Sequence, residues 1–480
     1  MNPPLRKLVI VVIIMFVTLM VAATSIQFFR ADSLNADSRN VRTLYKEYGV
    51  DRGPIIVAGE PIADSEPVNS VYNYQRTYLR PEMYAHLTGY FSVTHNSMTG
   101  IERAENSILG GSDSALTPQR IEELFTGAEP EGGAVELTID PAVQQAAWDA
   151  LGDRRGGVVA IEPETGRILA LVSKPAYDPN LIASHDATVA REAYQNYLAA
   201  ESQPLLNRAI GDNLYAPGSV FKIITTAAMI ENGDLTAESM VEAPYTYSPP
   251  GTTHEIYNPL QRQCGDGSGK VPLRTAFVES CNTAFAIGGL EVGDEEMIAM
   301  SEKFGFHQEL TIPLPVRPSR FPEPQDEAEL AMAAFGQRDV LTSPLQMAMV
   351  AAAVANDGTL MSPYLVERTL TADLAVISTT SPSTLSTPIS EKTAGELESM
   401  MIDVVNQGTG AYAASSFVQV AGKTGSAQIA DGVSPHAWFA GYDASDSPQV
   451  AVGVFVENGG DGGQVAGPIA RAVIEAVVTQ

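Results

Sequence analysis

Three kinds of hydrophobic pattern run along the chain, and each predicts a different element. The first is a solid run. Leu8 to Phe29 is apolar except for Thr18, Thr24, Ser25 and Gln27, and it follows the basic pair Arg6–Lys7. About 20 apolar residues in a helix cross a bilayer. The run therefore reads as a membrane anchor, residues 8–29, behind a short cytoplasmic tail, residues 1–7. Basic residues favour the cytoplasmic side, which puts everything after Arg30 outside. A cleaved signal peptide is the competing reading, because "VAATS" offers small residues, but its apolar core is usually only about 7–15 residues. No later run approaches this length without charges, so the expectation is a single-pass membrane protein.

The second pattern is that of short strands. "RGPIIVAGEPIADS" predicts paired strands around a Gly-Glu-Pro turn. "GGVVAIEPETGRILALVSKPAYDP" predicts a hairpin around Glu-Thr-Gly, and "SSFVQVAGKTG", "HAWFAGYD" and "PQVAVGVFVEN" predict three strands at meander spacing. The third pattern is helical. In "VELTIDPAVQQAAWDAL" a strand precedes a helix with Asp140 at the N-cap and Pro141 at its first position. "GSVFKIITTAAMIENGD" and "PLQMAMVAAAVANDG" are apolar helices stopped by Asn-Gly and Asp-Gly, and Pro468 opens a terminal helix in "GPIARAVIEAVVTQ".

Turn-rich breaks at "GGSDSALTPQR" and "GAEPEGGAV" separate a mixed N-terminal domain, 31–135, from a larger one, 136–480. The Ser/Thr-rich stretch 371–390 reads as an exposed linker or edge. Strands at both ends of the larger domain around a helical middle predict an α+β fold, an antiparallel sheet packed against helices.

Composition removes whole classes of partner. With 57 acidic and 29 basic residues the net charge is −28, so the long-range field repels nucleic acid and anionic membrane surfaces. The six histidines, His86, His95, His185, His254, His307 and His436, show no metal-ligand spacing, and no Cys-x-x-Cys exists, so neither metal nor cofactor is expected. The two cysteines, Cys264 and Cys281, both lie in the exported part; they either pair there or stay as buried free thiols.

Gly422-Lys423-Thr424 after an apolar run resembles the end of a phosphate-binding loop. Such a loop needs a glycine five residues before the Gly-Lys pair, and that position is Phe417. A Gly-x-Ser-x-Gly elbow is absent. What remains is a serine with a lysine three residues on, Ser219 and Lys222, the one S-x-x-K in the chain. Residues three apart share a helical face, so the amine can reach the hydroxyl. Serine is a weak nucleophile without a base, and lysine is a base only when desolvation or a neighbouring cation lowers its pKa. Ser280-Cys281-Asn282 follows between two apolar helical stretches, as a buried loop would; the other S-x-N triplets, Ser33–Asn35 and Ser38–Asn40, sit just past the anchor. Lys423-Thr424-Gly425 closes the series on a strand.

S-x-x-K, S-x-N and K-T-G in this order resemble the signature of penicillin-binding proteins and serine β-lactamases. "LTID", "VVAIEPETGRILALVS", "LLNRA", "YAPGSVFK" and "TSPLQMAMVAAAVANDG" are similar to class B penicillin-binding proteins. "GYFS" and "GIERAENSILGG" are similar to the actinobacterial penicillin-binding protein A group, and the resemblance covers nearly the whole chain.

The resemblance implies a penicilloyl-serine transferase fold and a peptidoglycan D,D-transpeptidase. Ser219 would attack the penultimate D-Ala of a stem peptide, with Lys222 as its base. Ser280 would relay a proton to the leaving amine, and Asn282 would hold substrate and Lys222. Lys423 would lower the Lys222 pKa and draw in the substrate carboxylate, which Thr424 and Ser426 would hydrogen-bond. Backbone N–H groups of Ser219 and Ser426 would form the oxyanion hole, Gly425 would leave room for substrate, and β-lactams would acylate Ser219. A Cys264–Cys281 bond would pin the catalytic loop. Two departures from the pattern stand out: Ser426 where threonine is commoner, and "FGQRDV" in place of Gly-Gln-Gly.

About 105 residues between anchor and catalytic domain are too few for a glycan polymerase. The implied partner is therefore a separate, membrane-embedded polymerase, in division or elongation, with the N-terminal domain as its pedestal. A D,D-carboxypeptidase, a β-lactamase-type hydrolase, and a non-enzymatic sensor or scaffold are the rival readings.

Overall fold

The computed structural model describes residues 3–25, 48–127, 129–233, 235–430 and 432–480. Residues 26–29 of the expected anchor, Arg30, and the triplets Ser33–Asn35 and Ser38–Asn40 lie outside them. Within the apolar run the helix Pro3–Thr24 is the one described helix long and apolar enough to cross a membrane. Its Thr18 hydroxyl donates to the Ile14 carbonyl, so the one polar side chain at its centre is satisfied internally.

Ile55–Val57 and Glu60–Pro67 pair antiparallel as expected, but the turn is Ala58–Gly59 rather than Gly-Glu-Pro. Both turn residues have positive φ, 49° and 82°, the conformation that matches strand twist in a tight hairpin. The break at "GGSDSALTPQR" is also more ordered than its turn residues suggest. Asp113 accepts a hydrogen bond from Ala115 N and opens a short 3₁₀ turn, Ser114–Leu116, which leads into the helix Thr117–Thr126. Pro118 sits in the first turn of that helix, where its missing N–H has no intrahelical partner to lose.

The strands of the first sheet come from both sides of residue 135. Its order is Val376–Thr379, Val366–Leu370, Ala134–Leu137, Ile55–Val57, Glu60–Pro67 and Tyr74–Tyr78. Ala134–Leu137 pairs parallel with Ile55–Val57 and antiparallel with Val366–Leu370. The Ser/Thr-rich stretch thus supplies an edge strand, and the larger segment lends two strands to the smaller one.

The second sheet is antiparallel, in the order Val420–Ala427, His436–Asp443, Ala451–Val456, Gly156–Ile161 and Ile168–Lys174. It joins the predicted hairpin to the predicted meander, and both of its faces are covered. Along Gly156–Ile161, Val158 and Ala160 join one core with Val143 and Leu151 of the helix Pro141–Leu151 and Ile469 and Val473 of the terminal helix. The alternate residues Val159 and Ile161 join the other core, with Ile223, Met347 and Val350. Asp140 caps Pro141–Leu151 as predicted, accepting from Ala142 N and Val143 N. The helix Pro344–Ala355 is buried at every residue, as a helix apolar on all sides must be.

Two boundaries differ from expectation. The terminal helix begins at Gly462, capped by Asp461, and Pro468 lies inside it rather than at its start. The helix starts where Asp461 caps it and runs through Pro468, at the expense of the Pro468 bond to the preceding turn. The strand of "SSFVQVAGKTG" begins only at Val420, which pairs with Asp443, the last residue of the neighbouring strand; Phe417 before it is 68% exposed.

Candidate active site

Ser219 lies in a 3₁₀ turn, Gly218–Phe221, that runs directly into the helix Lys222–Gly233. Ser219 and Lys222 therefore stand on either side of the junction between the 3₁₀ turn and the helix. Two bonds from distant segments hold this turn. Gly218 N donates to the Gly336 carbonyl at 2.9 Å, and Trp438 Nε1 donates to the Ala216 carbonyl at 2.9 Å.

Ser280 sits between the helices Leu273–Val278 and Asn282–Val292 with φ 60°. That left-handed conformation costs a non-glycine residue about 1–2 kcal/mol. It turns both oxygens of Ser280 toward Lys222, whose Nζ lies 2.7 Å from the carbonyl and 3.2 Å from the hydroxyl. Asn282 Oδ1 is the third neighbour, at 2.8 Å. The Asn282 amide is oriented from behind, because its Nδ2 donates to the Tyr257 carbonyl at 2.8 Å and a carbonyl can only accept. None of the Lys222 hydrogen-bond partners is on Ser219. Such contacts commonly tighten only with substrate bound.

Cys281, between Ser280 and Asn282, is joined to Cys264 by a disulfide across 17 residues; the free-thiol alternative does not occur. Glu279 Oε2 accepts from Gly265 N at 2.8 Å, a second tie between the same two segments.

The third element comes from an edge strand, Val420–Ala427, whose side chains alternate between its faces. Lys423 and Gly425 face the turn that carries Ser219. Lys423 Nζ lies 3.0 Å from Ser280 Oγ and 3.2 Å from the Thr424 carbonyl. A Cβ on Gly425 would lie 2.7 Å from the Pro217 carbonyl oxygen. This gives the glycine a structural task, close approach of strand to turn, besides the room for substrate expected from sequence. Thr424 and Ser426 face the other way. Thr424 Oγ1 lies 2.6 Å from Thr409 Oγ1, and Ser426 Oγ accepts from Gly462 N at 3.1 Å.

The electrostatics are those of two cations without counterions. Lys222 and Lys423 are both fully buried, and neither forms a salt bridge among the described residues. Burial pushes the Lys423 amine down to about 7. Lys222 is pushed well below the ordinary lysine value, first by burial and then by the charge of Lys423. Aromatic faces complete the surroundings: the Phe285 ring lies 5.1 Å from Lys222 Nζ and the Phe277 ring 5.6 Å from Lys423 Nζ. A neutral Lys222 has two N–H donors and one lone pair. The Ser280 carbonyl and Asn282 Oδ1 take the donors, so the lone pair is the position left to accept a proton, with the Ser280 hydroxyl 3.2 Å away.

Three motifs from distant parts of the chain therefore meet around one hydroxyl. The chain matches the penicillin binding protein transpeptidase domain over residues 156–475 and the penicillin binding protein A dimerisation domain over residues 52–135. This chain belongs to the penicillin-binding proteins. It is 43% identical to the peptidoglycan D,D-transpeptidase PbpA of Mycolicibacterium smegmatis, with both chains covered in full. It is also 43% identical to PbpA of Mycobacterium tuberculosis, covering 100% of this chain and 99% of that one. Among solved structures, M. tuberculosis penicillin-binding protein A as a ceftriaxone acyl-enzyme superposes with a TM-score of 0.87 at 42% identity, over 91% of this chain and 100% of the other. A D,D-transpeptidase domain from Eggerthella lenta gives 0.77 at 31% identity, over 90% and 99%.

In this penicillin-binding protein the substituted loop "FGQRDV" carries Arg338 at φ 62°, a left-handed backbone that glycine would adopt freely. The Arg338 guanidinium pairs with Glu329 at 2.9 Å. Tyr257, Thr409, Phe277, Phe285 and Trp438 escape a reading of the sequence, because no spacing ties any of them to the three motifs. A cavity of about 630 Å³ lies elsewhere, between Tyr90, Tyr177, Asn207 and Pro313, and contains none of the motif residues.

Proposed function

We propose that this chain is a serine D,D-transpeptidase that cross-links peptidoglycan stem peptides through an acyl-enzyme on Ser219. The observation that carries the reading is the shared contact of Lys222 and Lys423 with the Ser280 hydroxyl. Ser219 Oγ attacks the carbonyl of the penultimate D-Ala, and its proton passes to neutral Lys222. The amide C–N bond breaks, and the proton returns through Ser280 to the departing D-Ala amine. A second stem-peptide amine then attacks the ester and gives up a proton to the same base, which passes it to Ser219 Oγ as the ester C–O bond breaks, so that both Ser219 and neutral Lys222 are restored. Thr424 and Ser426 hold the terminal carboxylate, and the Ser219 and Ser426 N–H groups stabilise the oxyanion. β-Lactams stop the cycle at the ester.

The apolar N-terminal helix anchors the protein in this reading, with the catalytic domain outside and the N-terminal domain, 31–135, as a docking pedestal for a membrane-embedded glycan polymerase. Labelling with a fluorescent penicillin tests the chemistry. Wild type takes up label and Ser219→Ala does not; an unlabelled wild type would sink the proposal. Incubation with stem peptides separates transfer from hydrolysis: cross-linked dimer supports the transpeptidase, whereas released D-Ala without dimer assigns a carboxypeptidase.

A further inference from the structure

Thr424 and Ser426 differ from most surface hydroxyls in that each already has a partner that constrains its proton. Gly462 N can only donate, so Ser426 Oγ accepts from it and its own O–H is left to point elsewhere. Thr424 Oγ1 and Thr409 Oγ1 lie 2.6 Å apart, close enough that one hydroxyl must donate to the other. Thr424 is 6% exposed, so its hydroxyl has little water to turn to. The Thr409 side chain makes no other hydrogen bond among the described residues.

We infer that Thr409 is a positioning residue that sets the Thr424 hydroxyl as a donor toward the substrate's terminal carboxylate. A carboxylate has no proton to give, so Thr424 must donate to it. The Thr424 oxygen is then free to accept from Thr409, and the two bonds reinforce each other. Thr409 thus does for Thr424 what the Gly462 N–H does for Ser426. The two hydroxyls lie two residues apart on one face of the strand, and both are made donors by groups outside the K-T-G motif.

The local packing holds Thr409 in place. It follows the helix Glu391–Gln407 between Gly408 and Gly410. A Cβ on Gly408 would lie 2.8 Å from the Val278 carbonyl oxygen, and one on Gly463 would lie 2.2 Å from the Thr409 carbonyl oxygen. The loop is wedged between the helix that precedes Ser280 and the first turn of the terminal helix. Thr409 does not touch the reacting atoms and acts through Thr424.

The inference rests on the reading that Thr424 binds the carboxylate, and the experiment separates the two. Second-order acylation rates of the full-length protein are measured with benzylpenicillin and with its methyl ester, which lacks the charge. Thr409→Val is expected to slow benzylpenicillin about tenfold, the scale of one hydrogen bond to a charged group, and to leave the ester rate unchanged. Thr409→Ser restores the rate, and Thr409→Val with Thr424→Val is no slower than Thr424→Val alone. A wild-type rate in Thr409→Val beside a slow Thr424→Val overturns the role of Thr409. So does an equal loss on both probes, which would mark a structural role, or additivity in the double variant. A wild-type rate in Thr424→Val overturns the carboxylate reading itself.

Discussion

Lys222 and Lys423 aim their amines at the same hydroxyl, that of Ser280, from 3.2 and 3.0 Å. Two buried cations that share one small polar group repel each other, and the site lowers that repulsion by giving up a proton. Lys222, the base in the proposed mechanism, is thereby kept neutral at lower pH than lysine in water.

Removing the second charge therefore moves the pH profile. In the proposed mechanism acylation requires neutral Lys222, so the rate rises with pH through its folded pKa and then levels. Lys423→Met removes the neighbouring cation, and the rising limb shifts to higher pH. Acylation by a β-lactam measured from pH 5 to 10 checks this, with an unmoved limb as the contrary result.

Stability follows the same protons. Lys423 is held down to about 7 in the fold, against about 10.4 in an unfolded chain. Between those values the unfolded state binds a proton that the folded state lacks, so stability rises with pH across this window. The contribution is about 1.4 kcal/mol per pH unit. Melting temperatures of Lys423→Met compared with wild type should show a flatter rise between pH 7 and 9.

Asn282 is set by the Tyr257 carbonyl behind it and supplies a neutral acceptor to Lys222. Asn282→Asp puts a charge there instead, which raises the Lys222 pKa and sets two acceptors face to face at Tyr257. Acylation at pH 7 should fall about 100-fold, within the range for a mispositioned general base, and recover partly at higher pH. A pH-independent loss would point to misfolding rather than to the base.

Gly425 tests how strand and turn meet. In Gly425→Ala the new methyl encounters the Pro217 carbonyl oxygen at 2.7 Å, and backbone atoms on both sides must move. Overpacking of this kind costs about 1–3 kcal/mol. Both melting temperature and acylation rate should drop, because the turn that moves carries Ser219.

The disulfide joins residues 17 apart in sequence and ends inside S-x-N. A loop of this size contributes about 3 kcal/mol in the chain-entropy account. Cys264→Ser with Cys281→Ala should lower the melting temperature and slow acylation, because Ser280 and Asn282 flank Cys281. Unchanged values for both would show that packing alone holds the loop.

Much of this was legible in the chain. The Asp140 cap, the hairpin around Glu-Thr-Gly and the buried helix Pro344–Ala355 follow from local chemistry and appear where expected. The failures were at boundaries where two local signals compete. Asp461 against Pro468 is one; Ala58–Gly59 against Gly-Glu-Pro is another. The division near residue 135 is less clean than composition suggests, because strand pairing with Val366–Leu370 leaves no trace in the sequence.

What the sequence determined by itself is periodic. Helical spacing puts Ser219 and Lys222 on one face, and strand alternation sends Lys423 one way and Thr424 and Ser426 the other. Such relations follow from backbone geometry alone. Only the tertiary structure brought Ser280, 58 residues from Lys222 and 143 from Lys423, between the two amines. It alone set Tyr257 behind Asn282 and Thr409 against Thr424. The physical reason is that a lowered lysine pKa is a property of burial, and burial is the combined effect of segments that no local spacing connects.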